Sequence, residues 1–433
     1  MRLHLRTRLR SVFPGWWIVA SAMSLQATIA GLFLQAFGAY VPFWMAEFGW
    51  SRTTISLAYS LHRTESGLLG PLHGWILARV SPRRVVTVGV LLLGGGFIAM
   101  AGVQGFTAFL IVFLVQAVGA SLCGMLSLMT VLVNWFERRR TTALGLMQTG
   151  MSLGGLAVPL VALGLSAYGW RAVSVASGLV VLAIGLPTAA RMHRDPAQFG
   201  LRPDGALSSE PSDASADSAG SAARKSSPDV SARAAMRTRA FWAMSIGHAL
   251  SVLVVAAVSV HFVLYAVETL SLGVPLAATL FTLMTLVSIV GQVVGGAMGD
   301  AMDKRILAAW GTAGHAAAMV MLAFATTVWL AAIAIMLHGI AWGVRGPLMG
   351  AMRADYFGNA SFPTVMGFSS MIVMMGSVMG PLIVGLVADT TGDYGFGLLA
   401  VGALAGVGVL AFLAMPAPPP RPAAVVKQTP PPR

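Results

Sequence analysis

Charged side chains set inside apolar sequence are the residues most able to do chemistry in this chain. The stretch Ser60–Trp75, SLHRTESGLLGPLHGW, places Arg63 two residues from Glu65, with His62 and His73 on either side. A second arginine, Arg345, stands in HGIAWGVRGPLMGAMRADYFG. Charge held in hydrocarbon is costly and marks a substrate or ion path, or else a buried pair that locks helices together. At 100° per residue Arg63 and Glu65 point about 200° apart, so they cannot pair on one helical face. Ser56, Tyr59, Arg63, Gly67 and Gly70 recur at three- and four-residue intervals and form a small, polar stripe expected to face a cavity. His62, Glu65 and His73 fall on another edge.

Two readings stay open for each group. Arg63 is an anion ligand or half of an interhelical pair; Glu65 is a proton carrier or an assembly contact. Arg345 lies about two turns from the inner end of its helix, where it either snorkels to the interface or binds substrate. The glycines around it and Pro347 predict an irregular helix, which is tolerated where backbone lines a cavity. Two deep cations against one deep acid leave excess positive charge that an anionic substrate would neutralise. Tyr59, Gln35, Gln148, His261, Trp342 and Ser369 are further candidates to line a pathway, with His261 second to Glu65 for proton transfer; an intramembrane Gln or His also commonly satisfies a neighbouring carbonyl. Enzyme chemistry, a metal and a cofactor are not expected, since no triad, ligand cluster or paired carboxylate stands out. A G-x-x-x-x-G-K loop is missing, so the chain encodes no ATP drive. The single cysteine, Cys123, leaves no disulfide framework.

The elements that position these residues follow from hydropathy. Of 433 residues, 57% are hydrophobic and 10% charged, with a mean hydropathy of +0.79, values of a polytopic membrane protein. A crossing needs roughly 20 apolar residues. Twelve such spans are predicted, at 16–41, 53–78, 85–103, 107–133, 141–167, 171–190, 240–265, 275–299, 306–326, 328–352, 363–389 and 395–415. They divide the chain into a basic amino terminus (1–15), an N-terminal six-helix bundle (16–190), a Ser/Ala/Asp/Pro-rich linker expected to be flexible (191–239), a C-terminal six-helix bundle (240–415) and a Pro-rich disordered tail (416–433). All but four of the 28 Lys and Arg residues fall in segments on one side, so both termini are expected in the cytoplasm. The net charge of +13 therefore faces lipid headgroups, with no recognition helix or aromatic platform to suggest nucleic acid.

The two halves are repeats. Gly74 and Gly296 stand 222 residues apart, as do Gly145 and Gly367, Gly154 and Gly376, and Pro159 and Pro381. Parallel repeats of this kind place substrate near the midplane between the halves and rock about it. The recurring glycines of the fifth and eleventh spans are expected at the interface between halves.

With these motifs in hand, the chain resembles the major facilitator superfamily. GWILARVSPRR (Gly74–Arg84) looks like its loop G-x-x-x-D-R-x-G-R-R, with Ala78 for Asp and Ser81 for Gly; GAMGDAMDKR (Gly296–Arg305) is similar to the counterpart in the second half, with Ala301 where Arg is common. The resemblance implies gating roles for Gly74, Arg79, Arg83, Gly296, Asp300 and Arg305. GMSLGG resembles the GPxxGG element of antiporters, with Met151 for Pro. FGWSRTTIS, NWFERRRTTALGLMQTGMSLGG, YGWR and DPAQFGLRPDG look like bacterial monocarboxylate-transporter-like and oxalate/formate-antiporter-like members. That branch implies a monomeric inner-membrane transporter of a small mono- or dicarboxylate, proton-coupled or anion-exchanging. Its usual basic residue in the eighth or eleventh span has no counterpart here. Efflux of amphipathic compounds and a transporter-like receptor are the alternatives.

Overall fold

The structure is a computed structural model that describes residues 13–50, 65, 67–205 and 230–418. Among the described residues it is helical, without strands. The first span is α1 (Pro14–Ile29), a π-helical turn at Ala30–Leu34 and α2 (Phe37–Phe48), ended by Gly49 at φ 67°. Next come α3 (Gly70–Arg79) in the second span and α4 (Pro82–Met100). The fourth span breaks at Gly124 into α5 (Phe106–Cys123) and α6 (Met125–Trp135). The fifth and sixth are α7 (Arg140–Gly154) and α8 (Val158–Arg191), and α8 turns back on itself at Gly169, whose φ of 77° and ψ of 161° are not helical. After the short α9 (Ala232–Ala235), the C-terminal half is α10 (Arg239–Glu268), α11 (Val274–Ala301), α12 (Lys304–Ala323), α13 (Val328–Phe357), α14 (Phe362–Thr391) and α15 (Tyr394–Leu413).

Ten described helical stretches are long and apolar enough to cross a membrane. Arg140–Arg191, cut in two at Gly169, and the second span, only partly described, account for the rest of the expected twelve. Hydroxyl and carboxylate caps start several helices: Thr238 accepts from the Phe241 N–H, Thr327 from Leu330 and Asp393 from Gly395. Large apolar side chains point outward, among them Leu163, Trp329 and Leu410, which is the surface that lipid rather than water would cover.

The 222-residue repeat is written into the contacts. Gly154 packs on the Ala27 carbonyl and Gly376 on that of Ala249, the same pair one repeat later. Gly70 meets Gly367 across the halves as Gln292 meets Gly145, and Gly74 meets Thr364 as Gly296 meets Thr142. This corrects the expectation for the glycine stripes. Gly145 and Gly367 do lie between the halves, but Gly150 and Gly154 serve α1, and Gly376 and Gly380 serve α10 of their own half.

The expected linker is structured at both described ends. Residues 192–205 lie on the N-terminal half: Trp135 Nε1 donates to the His193 carbonyl, and Arg194 Nη2 donates to the carbonyls of Leu77 and Ala78 at the end of α3. Asp204, at φ 62°, accepts from the N–H groups of Glu137, Arg138 and Arg139 ahead of α7. The Ser/Ala/Asp/Pro-rich stretch on which the expectation of a flexible linker rests, residues 206–229, lies outside the described residues, while side-chain bonds to helix ends hold the part before it.

Candidate functional site

Arg345 lies on the inward face of α13, 2% exposed. Burial of that degree excludes snorkelling. Its Nε and Nη1 find no hydrogen-bond acceptor among the described residues, and none of the described ion pairs includes it. The predicted irregular helix is not present: α13 runs unbroken from Val328 to Phe357 through Pro347. Its glycines provide close approach instead. Gly343 packs on the Ser288 carbonyl of α11, and a Cβ on Gly346 would stand 2.5 Å from Gln148 Oε1 of α7. Gln148 thus reaches from the N-terminal half to the turn that carries Arg345. Beside it Ser152 Oγ lies 3.5 Å from Ser288 Oγ and accepts from Gln292 Nε2 at 3.3 Å, making a polar seam between the halves.

A second arginine joins the first. Arg353 is 1% exposed; its Nη1 donates 2.7 Å to the Met349 carbonyl, while Nη2 donates to Ser369 Oγ and lies 3.3 Å from His248 Nδ1. Ser369 Oγ is also 2.8 Å from Ser245 Oγ. Arg353 Nε has no partner among the described residues. Two buried guanidinium groups with donors unpartnered among the described residues and no described carboxylate against them are equipped to take an oxyanion, since charged N–H donors bond it and low dielectric strengthens the bond. Arg353 reads in sequence as an inner-loop charge. The signal that would have found it is spacing: His338, Arg345 and Arg353 lie seven and eight residues apart, on one stripe of a 3.6-residue helix.

The remaining candidates separate. Tyr59 and Arg63 lie outside the described residues. Glu65 accepts a 3.4 Å hydrogen bond from Ser121 of α5, and His73 Nε2 lies 3.0 Å from Ser127 Oγ of α6, so both face the fourth span within their own half. Gln35 Nε2 donates 2.8 Å to the Met151 carbonyl and His261 Nε2 donates 3.0 Å to that of Pro381; each satisfies backbone. Trp342 is part-buried on the core of the C-terminal half.

At the end of the molecule that carries the basic loops, the halves meet. Asp300 of α11 accepts from the N–H groups of Thr141 (2.8 Å) and Thr142 (3.0 Å) and from Thr142 Oγ1 (2.6 Å), capping α7 of the other half. Arg140, 4% exposed, donates 2.8 Å to Asp355, which Lys304 also meets at 2.9 Å. Gly74 and Gly296 allow the backbone contacts already described. By contrast, Arg79 stacks on Trp75 of its own helix, Arg83 is exposed, and Arg305 bonds Asp303 and the Met415 carbonyl.

Two six-helix repeats that close on each other around buried cations define a membrane protein of the transporter class. The chain belongs to the Major Facilitator Superfamily, whose family profile matches residues 23–281 and 244–433. It is 26% identical over 407 residues to monocarboxylate transporter 13 of Bos taurus, covering 92% of this chain and 89% of that protein. To the membrane sensor protein UhpC of Escherichia coli it is 24% identical over 393 residues, 88% and 87% of the two chains. Among solved structures, the E. coli fucose:proton symporter FucP superposes with a TM-score of 0.69 at 16% identity, over 92% of this chain and 98% of that one.

Proposed function

We propose that the chain is a secondary transporter of a small organic anion, a mono- or dicarboxylate, moved by alternating access and coupled to protons or to counter-anion exchange. The observation that carries this reading is Arg345: buried, with two donor nitrogens unpartnered among the described residues, beside buried Arg353 and without a described carboxylate against it. An anion offsets the desolvation cost of those charges only while it is bound, which is what a site that loads and unloads requires. The relatives named monocarboxylate transporter agree with a carboxylate cargo. In this reading the basic end faces the cytoplasm of a bacterial cell, and Asp300, Gly74 and Gly296 form the inner closure.

The test is uptake of radiolabelled carboxylates by the reconstituted protein. Arg345→Gln is expected to abolish uptake and binding while the protein remains folded; unchanged transport would sink the anion site. One relative is a membrane sensor, which favours a second reading in which ligand is bound without being moved. Carboxylate binding with no accumulation and no exchange in liposomes would select it.

A further inference from the structure

Beyond the arginines, one buried cluster has no role in what precedes. His315 of α12 and His338 of α13 are both 0% exposed, and their Nδ1 atoms lie 3.1 Å apart, with ring centroids 4.6 Å apart and planes inclined by 55°. The Nε2 atom of each ring is buried and finds no partner among the described residues. Two nitrogens at that distance share one hydrogen: one Nδ1–H donates and the other Nδ1 accepts. The accepting ring then carries its hydrogen on Nε2, and the donating ring keeps a bare Nε2 lone pair. A proton can add at that bare nitrogen without disturbing the Nδ1–H···Nδ1 bond. A second would set two N–H groups against each other, so the pair holds a single excess proton.

Arg345 is tied to this pair through both helices. It stands seven residues after His338, nearly eclipsed with it on α13, and a Cβ on Gly311, one turn before His315 on α12, would sit 3.2 Å from the Arg345 Cβ. Among the described residues, the charged group that acts on the pair is Arg345 of α13, and Arg345 in turn bears with Arg353 on His248 of α10. Packed on the other side of α12, α15 brings no ionisable side chain except Tyr394 at its far end, and α11 brings Asp300 only at the basic end.

We infer that His315 and His338 are the proton-binding site of this transporter, coupled to the cargo through the charge of Arg345. The inference rests on the organic-anion reading above. With the anion site empty, the Arg345 cation repels an added proton on the pair. A bound carboxylate removes that repulsion, so anion and proton each favour the other's binding, reciprocally. For a monocarboxylate one proton enters at the bare Nε2, one anion enters at Arg345, the occupied site gains no net charge, and both leave when the opposite side opens; a dicarboxylate leaves one negative charge in excess. Seven residues at a rise of 1.5 Å set Arg345 about 10 Å along α13 from His338, and at an effective dielectric of about 20 neutralising one charge at that distance changes proton affinity by roughly tenfold. The pair is a positioning and proton-holding device and does not touch the cargo.

The test uses the full chain, purified and reconstituted, with radiolabelled pyruvate and oxalate as probes. Wild-type protein in weakly buffered detergent is expected to take up protons as it binds anion, at most about half a proton per anion for a tenfold coupling. In liposomes, His338→Gln and His315→Gln should lose accumulation driven by an acid-outside gradient by about tenfold or more, while exchange at symmetric pH stays within about twofold of wild type. Accumulation retained by both variants would overturn the proposal. So would anion binding by wild type with no proton uptake, a measurement that decides the matter even where a variant fails to fold. Wild type that neither binds nor exchanges either probe would instead sink the organic-anion reading and this inference with it.

Discussion

Removing the Asp300 carboxylate should loosen the basic end of the transporter. Three hydrogen bonds run from Thr141 and Thr142 of the N-terminal half to this one side chain of the C-terminal half, two of them from the first N–H groups of α7. Side-chain caps of helix N-termini are worth about 1 to 2 kcal/mol. Asp300 is only half-buried, so water can replace part of what is lost, and the lower part of the larger range for charged hydrogen bonds applies. Because these bonds exist only while the halves are closed at this end, Asp300→Ala should shift the open-to-closed ratio by roughly 5- to 30-fold. A spin-label distance measurement reads this directly. Labels at Arg83→Cys and Ile306→Cys, both exposed and at near-equivalent places in the two repeats, in a Cys123→Ala background, should give one short distance in the parent and a longer component in Asp300→Ala. Asp300→Asn, which keeps an acceptor, should fall between. Superimposable distributions for parent and Asp300→Ala would refute the idea that this cap holds the closure.

Three other outcomes are expected. Arg345→Gln removes a buried charge that has no ion-pair partner among the described residues, so its thermal midpoint should hold or rise even as transport is lost; a fall of several degrees would mean that Arg345 has a structural partner. Ala78 is the repeat equivalent of Asp300 and lies near the start of α14, where Ser361 supplies no side-chain cap; Ala78→Asp should lengthen the closed state, seen as a narrower label distribution and slower turnover. The Arg305 guanidinium holds the Asp303 carboxyl below its usual range. A depressed folded-state value stabilises above the ordinary carboxyl range and is lost as pH falls through it, so the acid limb of a melting-temperature profile should flatten in Asp303→Asn, by a small amount that salt screens further.

Hydropathy and the 222-residue offset made the architecture legible, because span length and gene duplication leave their mark on every residue of a repeat. The same offset relates Gly70 to Gln292 and Gly367 to Gly145, and the structure packs Gly70 on Gly367 at one seam and Gly145 on Gln292 at the other. The rotation of each helix left a weaker trace. A glycine stripe shows that some backbone comes close without saying whose, which is why Gly150 and Gly376 turned out to serve their own halves. Arg345 was visible as an isolated charge. Arg353 was not, since the helix that buries it runs farther than its apolar stretch and the residue reads as loop. The histidine pair joins residues on two helices, 23 positions apart, and no periodicity along one strand of sequence reports such a meeting.

Where the two halves part company also has a practical side. The segment 192–205, bonded to the ends of the second, fourth and fifth spans, belongs to the first bundle. A two-fragment version of this transporter, or an insertion of a reporter between its halves, should therefore be cut beyond Gly205 and before Val230. A cut at Arg191 would strip the first bundle of the clasp that ties together the ends of three of its spans.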